Sequence, residues 1–389
     1  MDCSKAFDMC SFEVLFRKLL EKGLPPIVIR TLLFIYQEQT AWVRWGSSKS
    51  RQFSITNGTR QGSVLSPCFF AVYMDELLKR LRYQGLGCHI GEVFYGAAGF
   101  ADDLVLISPS RTGMQKMLEI CEQYALENNL QFSTDDNPQK SKTKCLYMCG
   151  KVGQVQYPAP LCLNGRELPW VVKGTHLGHE LHQSCSMDHD TKCKRAAFID
   201  TSTDIRHMFS FAHPSQVLSA VTTYAAHFYG SMLWDLSSKS AWQVYRSWNT
   251  CVKLTWDIPR SSHNYFVDGT LAADFPSVRR KILCQYVRFF RTLRNCPLRE
   301  VRLLALVAGK DMGSVTGKNL LYLSDEFNLD PWVDPVGKFK AEYEGYRVPE
   351  VEKWRLGLLE QLLEQRRDML ACGDDVTEIR SLIDSLCSS

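Results

Sequence analysis

Three carboxylates carry the chemistry this sequence could perform. Asp2 opens the run Asp-Cys-Ser-Lys-Ala-Phe-Asp, and Asp102 and Asp103 form an adjacent pair far along the chain. Carboxylates on neighbouring strands of one sheet can hold two divalent cations roughly 3.5–4 Å apart, the arrangement that transfers a phosphoryl group to a hydroxyl. One cation would activate the attacking oxygen; the other would bind the phosphates and the leaving group. Mg²⁺ is a hard ion that takes oxygen ligands of this kind, and Mn²⁺ could stand in for it. Taken alone, an Asp-Asp pair is more often a solvated turn, so its meaning depends on what surrounds it.

Other groups have a physical logic of their own. In Arg60-Gln61-Gly62, Arg60 could contact a phosphate or template, Gln61 offers donors and acceptors beside a base or sugar, and Gly62 permits close backbone approach. A plain turn would read the same. Lys140-Ser141-Lys142-Thr143-Lys144 is a basic loop, and periodicity alone favours a solvated one. Arg279, Arg280, Lys281, Arg288, Arg291, Arg294, Arg299 and Arg302 are interleaved with Tyr286, Phe289 and Phe290. That pattern fits contact with a duplex backbone and, equally, an ordinary solvated basic face. His182, Cys185, His189 and Cys193 are spaced three, four and four apart. Both residue types bind zinc, but the compact spacing favours scattered residues on a loop and a helix start.

The elements that must position these groups can be read from periodicity. Residues 11–38 read as helix, with Val14, Leu15, Leu19 and Leu20 on one face and a break at Gly23-Leu24-Pro25-Pro26. Residues 40–56 alternate through Ala41, Val43, Trp45, Phe53 and Ile55 about Gly46-Ser47-Ser48, which predicts a β-hairpin. Asn57-Gly58 predicts a turn, and Leu65–Tyr83 a helix with Pro67 near its start. Val93–Tyr95 and Leu104–Ile107 predict the strands of a second hairpin, with the acidic pair at or near its tip. Gly113–Asn129 reads as helix. Cys145–Met148, Gln156–Leu163 and Val171–Leu181 read as short strands, with turns at Asn164-Gly165 and Gly174. After residue 186 the texture is helical, punctuated by Pro214, Pro259, Pro276 and Pro297, and ends in amphipathic helices over Val351–Leu370 and Val376–Leu386. This change from α+β to all-α sets a domain boundary near 186.

Bulk composition narrows the class. The chain has 389 residues, 45% apolar and 23% charged, which is a globular composition with room for two to three domains. A net charge of +4 decides nothing about nucleic acid by itself. The 15 cysteines are scattered through a long chain without a leader ahead of the first motif, so reduced thiols and an intracellular setting (cytoplasm, nucleus or both) are expected. The longest apolar stretches are broken by charge, Ile27–Tyr36 by Arg30 and Phe209–Leu236 by Asp235, so no membrane span is expected.

The motifs, taken in order, resemble those of reverse transcriptases from non-LTR (LINE-type) retrotransposons. Residues 2–8 resemble the first palm motif. Asn57-Gly58-Thr59-Arg60-Gln61-Gly62-Ser63-Val64-Leu65-Ser66-Pro67 resembles the second, Phe100-Ala101-Asp102-Asp103 the third, Asn137-Pro138-Gln139-Lys140-Ser141-Lys142 the fourth, and His176-Leu177-Gly178 the fifth, the primer grip. The resemblance implies an α+β right-hand palm over 1–185, an antiparallel sheet backed by helices. It further implies an all-α thumb and connector over 186–345, and C-terminal helices over 346–389. Asp2 and Asp102 would be the main metal ligands and Asp103 a supporting one. Phe7 would be the steric gate that selects dNTPs, although a core-packing role reads equally well. Arg60, Gln61 and Gly62 would face the nucleotide. Lys140 would protonate the leaving pyrophosphate, with Lys142 close enough to compete for that role. The partners would be an RNA template, a DNA primer and dNTPs.

Two expectations follow from how the sequence opens. The first motif begins at residue 2, without the basic fingers segment or the upstream strand that the family places before it, and no endonuclease domain accompanies it. Asp2 is therefore expected to fray beside a mobile amine, and the chain to have little or no polymerase activity alone. A non-catalytic or co-opted nucleic-acid-binding remnant is the alternative. Phe7 and Phe100 argue against an RNA-dependent RNA polymerase, and the Lys-Ala-Phe-Asp pattern favours the non-LTR reading over a group II intron maturase.

Overall fold

The computed structural model describes residues 1–389 apart from 61, 136–139, 150–154, 268–270, 272–273, 276, 333–349 and 389. The chain forms two compact units, Met1–Gly174 and Thr175–Ser389, each with its own buried apolar core. Helices dominate both, and among the described residues the strands form small two-stranded sheets.

The first unit is organised by the helix Ser66–Gln84. Pro67 sits in its first turn and Gly85 closes it in the left-handed conformation, φ 62°. Phe69, Phe70, Tyr73, Met74, Leu77 and Leu81 recur at helical spacing and are all buried. Tyr73 ties three segments together: its hydroxyl donates to the Asn128 carbonyl and accepts from Ser11 N at 3.3 Å, and its own carbonyl accepts from Tyr124 Oη. The helix Arg111–Glu127 starts at Ser110, whose hydroxyl accepts from Gly113 N at 3.1 Å. It presents Met117, Leu118, Cys121 and Tyr124 to the same core.

The acidic pair lies on a hairpin, with a different partner strand from the one expected. Ala97–Phe100 pairs with Asp103–Leu106, joined by the two-residue turn Ala101-Asp102, whereas Val93–Phe94 pairs with His89–Ile90. Ala97-Ala98-Gly99 has little strand propensity, so the sequence carried no signal for that strand. Ala101 has φ 52°, so a left-handed residue opens this tight turn. The turn expected at Gly174 is also displaced. Lys173–His176 pairs with His179–His182, and Leu177 (φ 47°) and Gly178 (φ 77°) make the turn. Asn164 and Gly165 (φ 54° and 72°) do turn where predicted, between Leu161–Leu163 and Arg166–Leu168.

The second unit is built from helices including Asp188–Met208, Pro214–Tyr224, Lys239–Thr255, Val278–Arg294, Arg299–Lys310 and Val315–Phe327. Trp234 and Trp248 lie at its centre, 0% and 1% exposed. The terminal helices run Glu350–Cys372 and Thr377–Ser388. The expected boundary between 345 and 346 falls outside the described residues. No described helix is long and apolar enough to cross a membrane.

Candidate active site

Asp2 is held inside a small sheet, which corrects the expectation that it frays. The Met1 amine donates to Leu104 O at 2.7 Å, and Leu104 N donates to Met1 O at 3.0 Å. On the other side, Ser133 N donates to Asp2 O and Ser4 N to Gln131 O, each at 2.8 Å. Residues 1–4 thus form a strand between the hairpin and residues 131–133, with isolated bridges Asp2↔Asp103 and Cys3↔Phe132. Buried Phe132 and Leu104 anchor the two flanking strands in the core, and this packing supplies the hold that the sequence did not reveal.

The bonding pattern fixes where the carboxylates point. Met1 and Leu104 exchange both of their backbone bonds, so Asp2 and Asp103 form the adjacent non-hydrogen-bonded pair. In such a pair the side chains leave the same face of the sheet at their closest spacing. Two like charges directly opposite repel, and a cation between them relieves the repulsion. Asp2 Oδ2 is buried and accepts no hydrogen bond; Lys142 Nζ lies 3.5 Å away as an ion-pair partner. A buried carboxylate oxygen that accepts no hydrogen bond, on a strand paired with a second carboxylate residue, is a donor set that fits a hard divalent cation. Asp102 occupies the hairpin turn, half-buried. Among the described residues no group of three or more His, Cys, Asp or Glu side chains converges as a ready metal site. The pair Asp2–Asp103 is therefore what the structure brings together, with Asp102 adjoining.

The first and second motifs interlock. Thr59 N donates to Phe7 O at 2.7 Å, Gly58 N donates to Cys10 O at 2.8 Å, and Ser11 bridges Asn57. Gly58 (φ +93°) sits so close that a Cβ would lie 3.0 Å from Asp8 Cα and from Phe7 O. Only glycine meets both demands. The Phe7 ring is half-buried and packs on Phe70 at 4.9 Å, interplanar angle 34°. Arg60 is exposed, and its carbonyl accepts from Ser66 Oγ at 2.5 Å. Gly62 is exposed at φ +84°, with open space where a Cβ would be. Gln61 and Asn137–Gln139 lie outside the described residues. Of the two candidate lysines, Lys142 is the one near a carboxylate, and Lys140 is exposed. Thr143, which sequence reading did not single out, is buried beside the site, with Asp2 N 3.5 Å from its hydroxyl oxygen. A polar residue in a basic loop carries no sequence signal of that kind.

The thiols around the site are strongly perturbed. Cys3, Cys10 and Cys121 are each pushed up from 9.0 to about 12, by burial first. For Cys3 the negative charges of Asp102 and Asp2 add to the effect. A raised folded-state pKa stabilises the fold fully below the unfolded value of 9.0, and that stability is lost as pH climbs toward about 12. Denaturant midpoints should accordingly fall with pH across this window, and fall less steeply in Cys3→Ala. Equal slopes in the two proteins would remove the thiol from the account. All fifteen cysteines are free.

In the second unit, the turn residues Leu177 and Gly178 are exposed and His176 is half-buried. Lys194 Nζ donates to Gly178 O at 3.0 Å. Asp190, 1% exposed, accepts from Glu180 N (3.1 Å) and Trp234 Nε1 (2.9 Å), and so ties the hairpin to the core. The four candidate zinc residues do not assemble: His182 stacks on His189 at 4.4 Å, while Cys185 and Cys193 are exposed. Several cations of the basic stretch are engaged within their own unit. Arg279 pairs with Glu326 (3.0 Å) and covers the Trp242 ring (4.6 Å). Lys281 donates to Ala226 O (2.6 Å), Arg294 to Trp332 O, and Arg302 to Cys296 O (2.6 Å). These cations serve their own unit; Arg288 and Arg299 are exposed.

The structure thus sets one carboxylate strand against an acidic hairpin, beside a glycine-containing loop. The chain belongs to the family described as "Reverse transcriptase (RNA-dependent DNA polymerase)", which matches residues 1–194. It is similar to the "Retrovirus-related Pol polyprotein from type-1 retrotransposable element R2" of Nasonia vitripennis, with 30% identity over 181 residues, 46% of this chain and 17% of that protein. It is similar also to the Pol polyprotein from type-2 retrotransposable element R2DM of Drosophila melanogaster, at 34% over 119 residues, 31% of this chain and 11% of that protein. A Pol polyprotein from type-1 element R2 of Popillia japonica is 35% identical over 109 residues, 28% of this chain and 15% of that protein. The chain thus spans under a fifth of the length of these curated relatives.

Proposed function

We propose that this chain extends a DNA primer on an RNA template by two-metal nucleotidyl transfer, with residues 1–185 as palm, 186–345 as thumb and connector, and 346–389 as terminal helices. The observation that carries this reading is the cross-strand Asp2–Asp103 pair, with an Asp2 oxygen that accepts no hydrogen bond and has Lys142 Nζ 3.5 Å away. Asp2, Asp102 and Asp103 would hold two Mg²⁺ ions, which when bound would activate the primer 3′-oxygen and neutralise charge on the departing pyrophosphate. Phe7 would exclude a ribose 2′-hydroxyl, and its packing on Phe70 supports a ring held in one place. Arg60 and Gln61 would contact the incoming nucleotide, with Gly62 leaving room for it. Lys142 or Lys140 would supply the proton to the leaving group, and proximity to Asp2 favours Lys142. His176, Leu177 and Gly178 would grip the primer. Leu177, left-handed at φ 47°, is a strained residue of the kind that marks functional turns.

The test is incorporation of dTTP on poly(rA)–oligo(dT) with Mg²⁺. Incorporation is expected, in place of the inactivity anticipated from a frayed Asp2, because its strand is held on both sides, and Phe7→Ala should raise the use of rUTP relative to dTTP about tenfold or more. An unchanged ratio would return Phe7 to a packing role. A second reading, a non-catalytic nucleic-acid-binding protein of the same fold, draws support from the lack of a converged group of three metal ligands among the described residues. No incorporation by a folded, primer-template-bound chain would favour it.

A further inference from the structure

The hairpin that joins the first two motifs has a surface its own unit does not use. Thr40–Ala41 pairs with Phe53–Ser54, and Arg44–Trp45 with Ser48–Lys49. Trp42, Trp45 and Phe53 are 53%, 86% and 49% exposed, an unusual concentration of open aromatic area on so short a segment. Arg44 and Lys49 stand directly opposite each other across the ladder. Like charges so placed destabilise a hairpin. Arg44, Lys49 and Arg51 are all exposed, and among the described residues none has a carboxylate partner. From residue 23 to 74 the sequence holds Arg30, Arg44, Lys49, Arg51 and Arg60 against one carboxylate, Glu38. Lys49 Nζ also lies 5.2 Å from the Trp42 ring centroid, so cation and ring share one face.

We propose that this hairpin is a platform for single-stranded nucleic acid, with Trp42 and Trp45 stacking on bases and Arg44, Lys49 and Arg51 meeting phosphates. A polyanion relieves the Arg44–Lys49 repulsion, and unpaired bases offer flat apolar faces to the open rings. A duplex satisfies only the charges, because its bases are already stacked. An apolar protein partner would cover the rings but would desolvate cations that have no carboxylate partner, at a cost. The proposal goes beyond the catalytic reading and stands without it, since binding needs neither metal nor turnover.

The test uses the full chain and a fluorescently labelled oligouridylate of about 15 nucleotides, a length suited to such grooves, with a duplex of the same length beside it. Wild type should prefer the single strand and lose tryptophan fluorescence on binding. Trp42→Ala and Trp45→Ala should each weaken binding about 5- to 100-fold, while Trp45→Phe, which keeps a stacking ring, should retain most of the affinity. The triple variant Arg44→Gln, Lys49→Gln, Arg51→Gln should lower the log–log salt slope by about 2. Thermal melts should not fall, because every replaced side chain is exposed, and the charge variant should melt slightly higher as the Arg44–Lys49 repulsion is removed. Wild-type affinity and slope in these variants would overturn the proposal. So would the absence of single-strand binding, or self-association of the wild type that the Trp variants abolish. None of these readings depends on polymerisation, so a catalytically silent chain leaves the result interpretable.

Discussion

Replacing Asp2 by Asn should abolish primer extension while leaving the protein as stable as before, or slightly more so. The two effects have opposite signs because they come from the same geometry. Asp2 and Asp103 face each other as a non-hydrogen-bonded pair, and removing one charge relieves a like-charge repulsion of about 0.2–1 kcal/mol. The ion pair with Lys142 that is lost at the same time has a 71% exposed lysine and offsets little. Catalysis loses a hard-ion ligand at the position where charge must be neutralised, an effect of several kcal/mol. At 1.36 kcal/mol per tenfold, that is a rate loss of about a hundred- to a thousandfold or more. Asp102→Asn should cost activity likewise. The measurement is single-nucleotide incorporation alongside a denaturant titration of the same preparation. Loss of activity together with a large fall in stability would assign Asp2 a structural role, and retained activity would refute the metal-ligand assignment outright.

The second large effect is expected in the other unit. Asp190→Ala should destabilise it by about 3–5 kcal/mol. Asp190 is 1% exposed and accepts from both Trp234 Nε1 and Glu180 N, so its removal leaves two buried donors without partners and a void beside them. His179 Nδ1 lies 3.8 Å from Oδ2 and would lose its carboxylate neighbour as well. For a unit of this size the melting temperature should drop by roughly 6–20 °C. Asp190→Asn keeps the shape and one acceptor oxygen, so its loss should be clearly smaller. Equal losses in the two variants would mean that charge, not the hydrogen bonds, holds the network.

Much of the site was legible because chemistry constrains residue type there. Asn164-Gly165 predicted its turn correctly, since left-handed backbone in a tight hairpin favours those residues. The equivalent turn at Leu177-Gly178 was hidden by a leucine that adopts φ 47° against its own preference. The strand Ala97–Phe100 was invisible because Ala97-Ala98-Gly99 has little strand propensity; the turn and the paired strand create it. The hold on Asp2 was unreadable for a related reason. It depends on backbone bonds to residues 104 and 131–133, and backbone bonds leave no trace in side-chain pattern. In the helix Val278–Arg294 the same arginines could have faced solvent or neighbouring rings and carbonyls. Only packing decided for Trp242 and Trp332.

The strand at residues 1–4 also sets the order in which the site can come into being. Its partners lie more than a hundred residues away along the chain. Closing so long a loop costs entropy before any contact returns it, so the carboxylate pair belongs to the high-contact-order part of the molecule. The helices around Tyr73 and Tyr124 can assemble from nearer segments and present a ready edge, onto which the Asp2 strand docks late. The same asymmetry operates in reverse. Partial opening would release this strand before the helical core loosens, so catalytic competence would be lost while most of the molecule still appears folded.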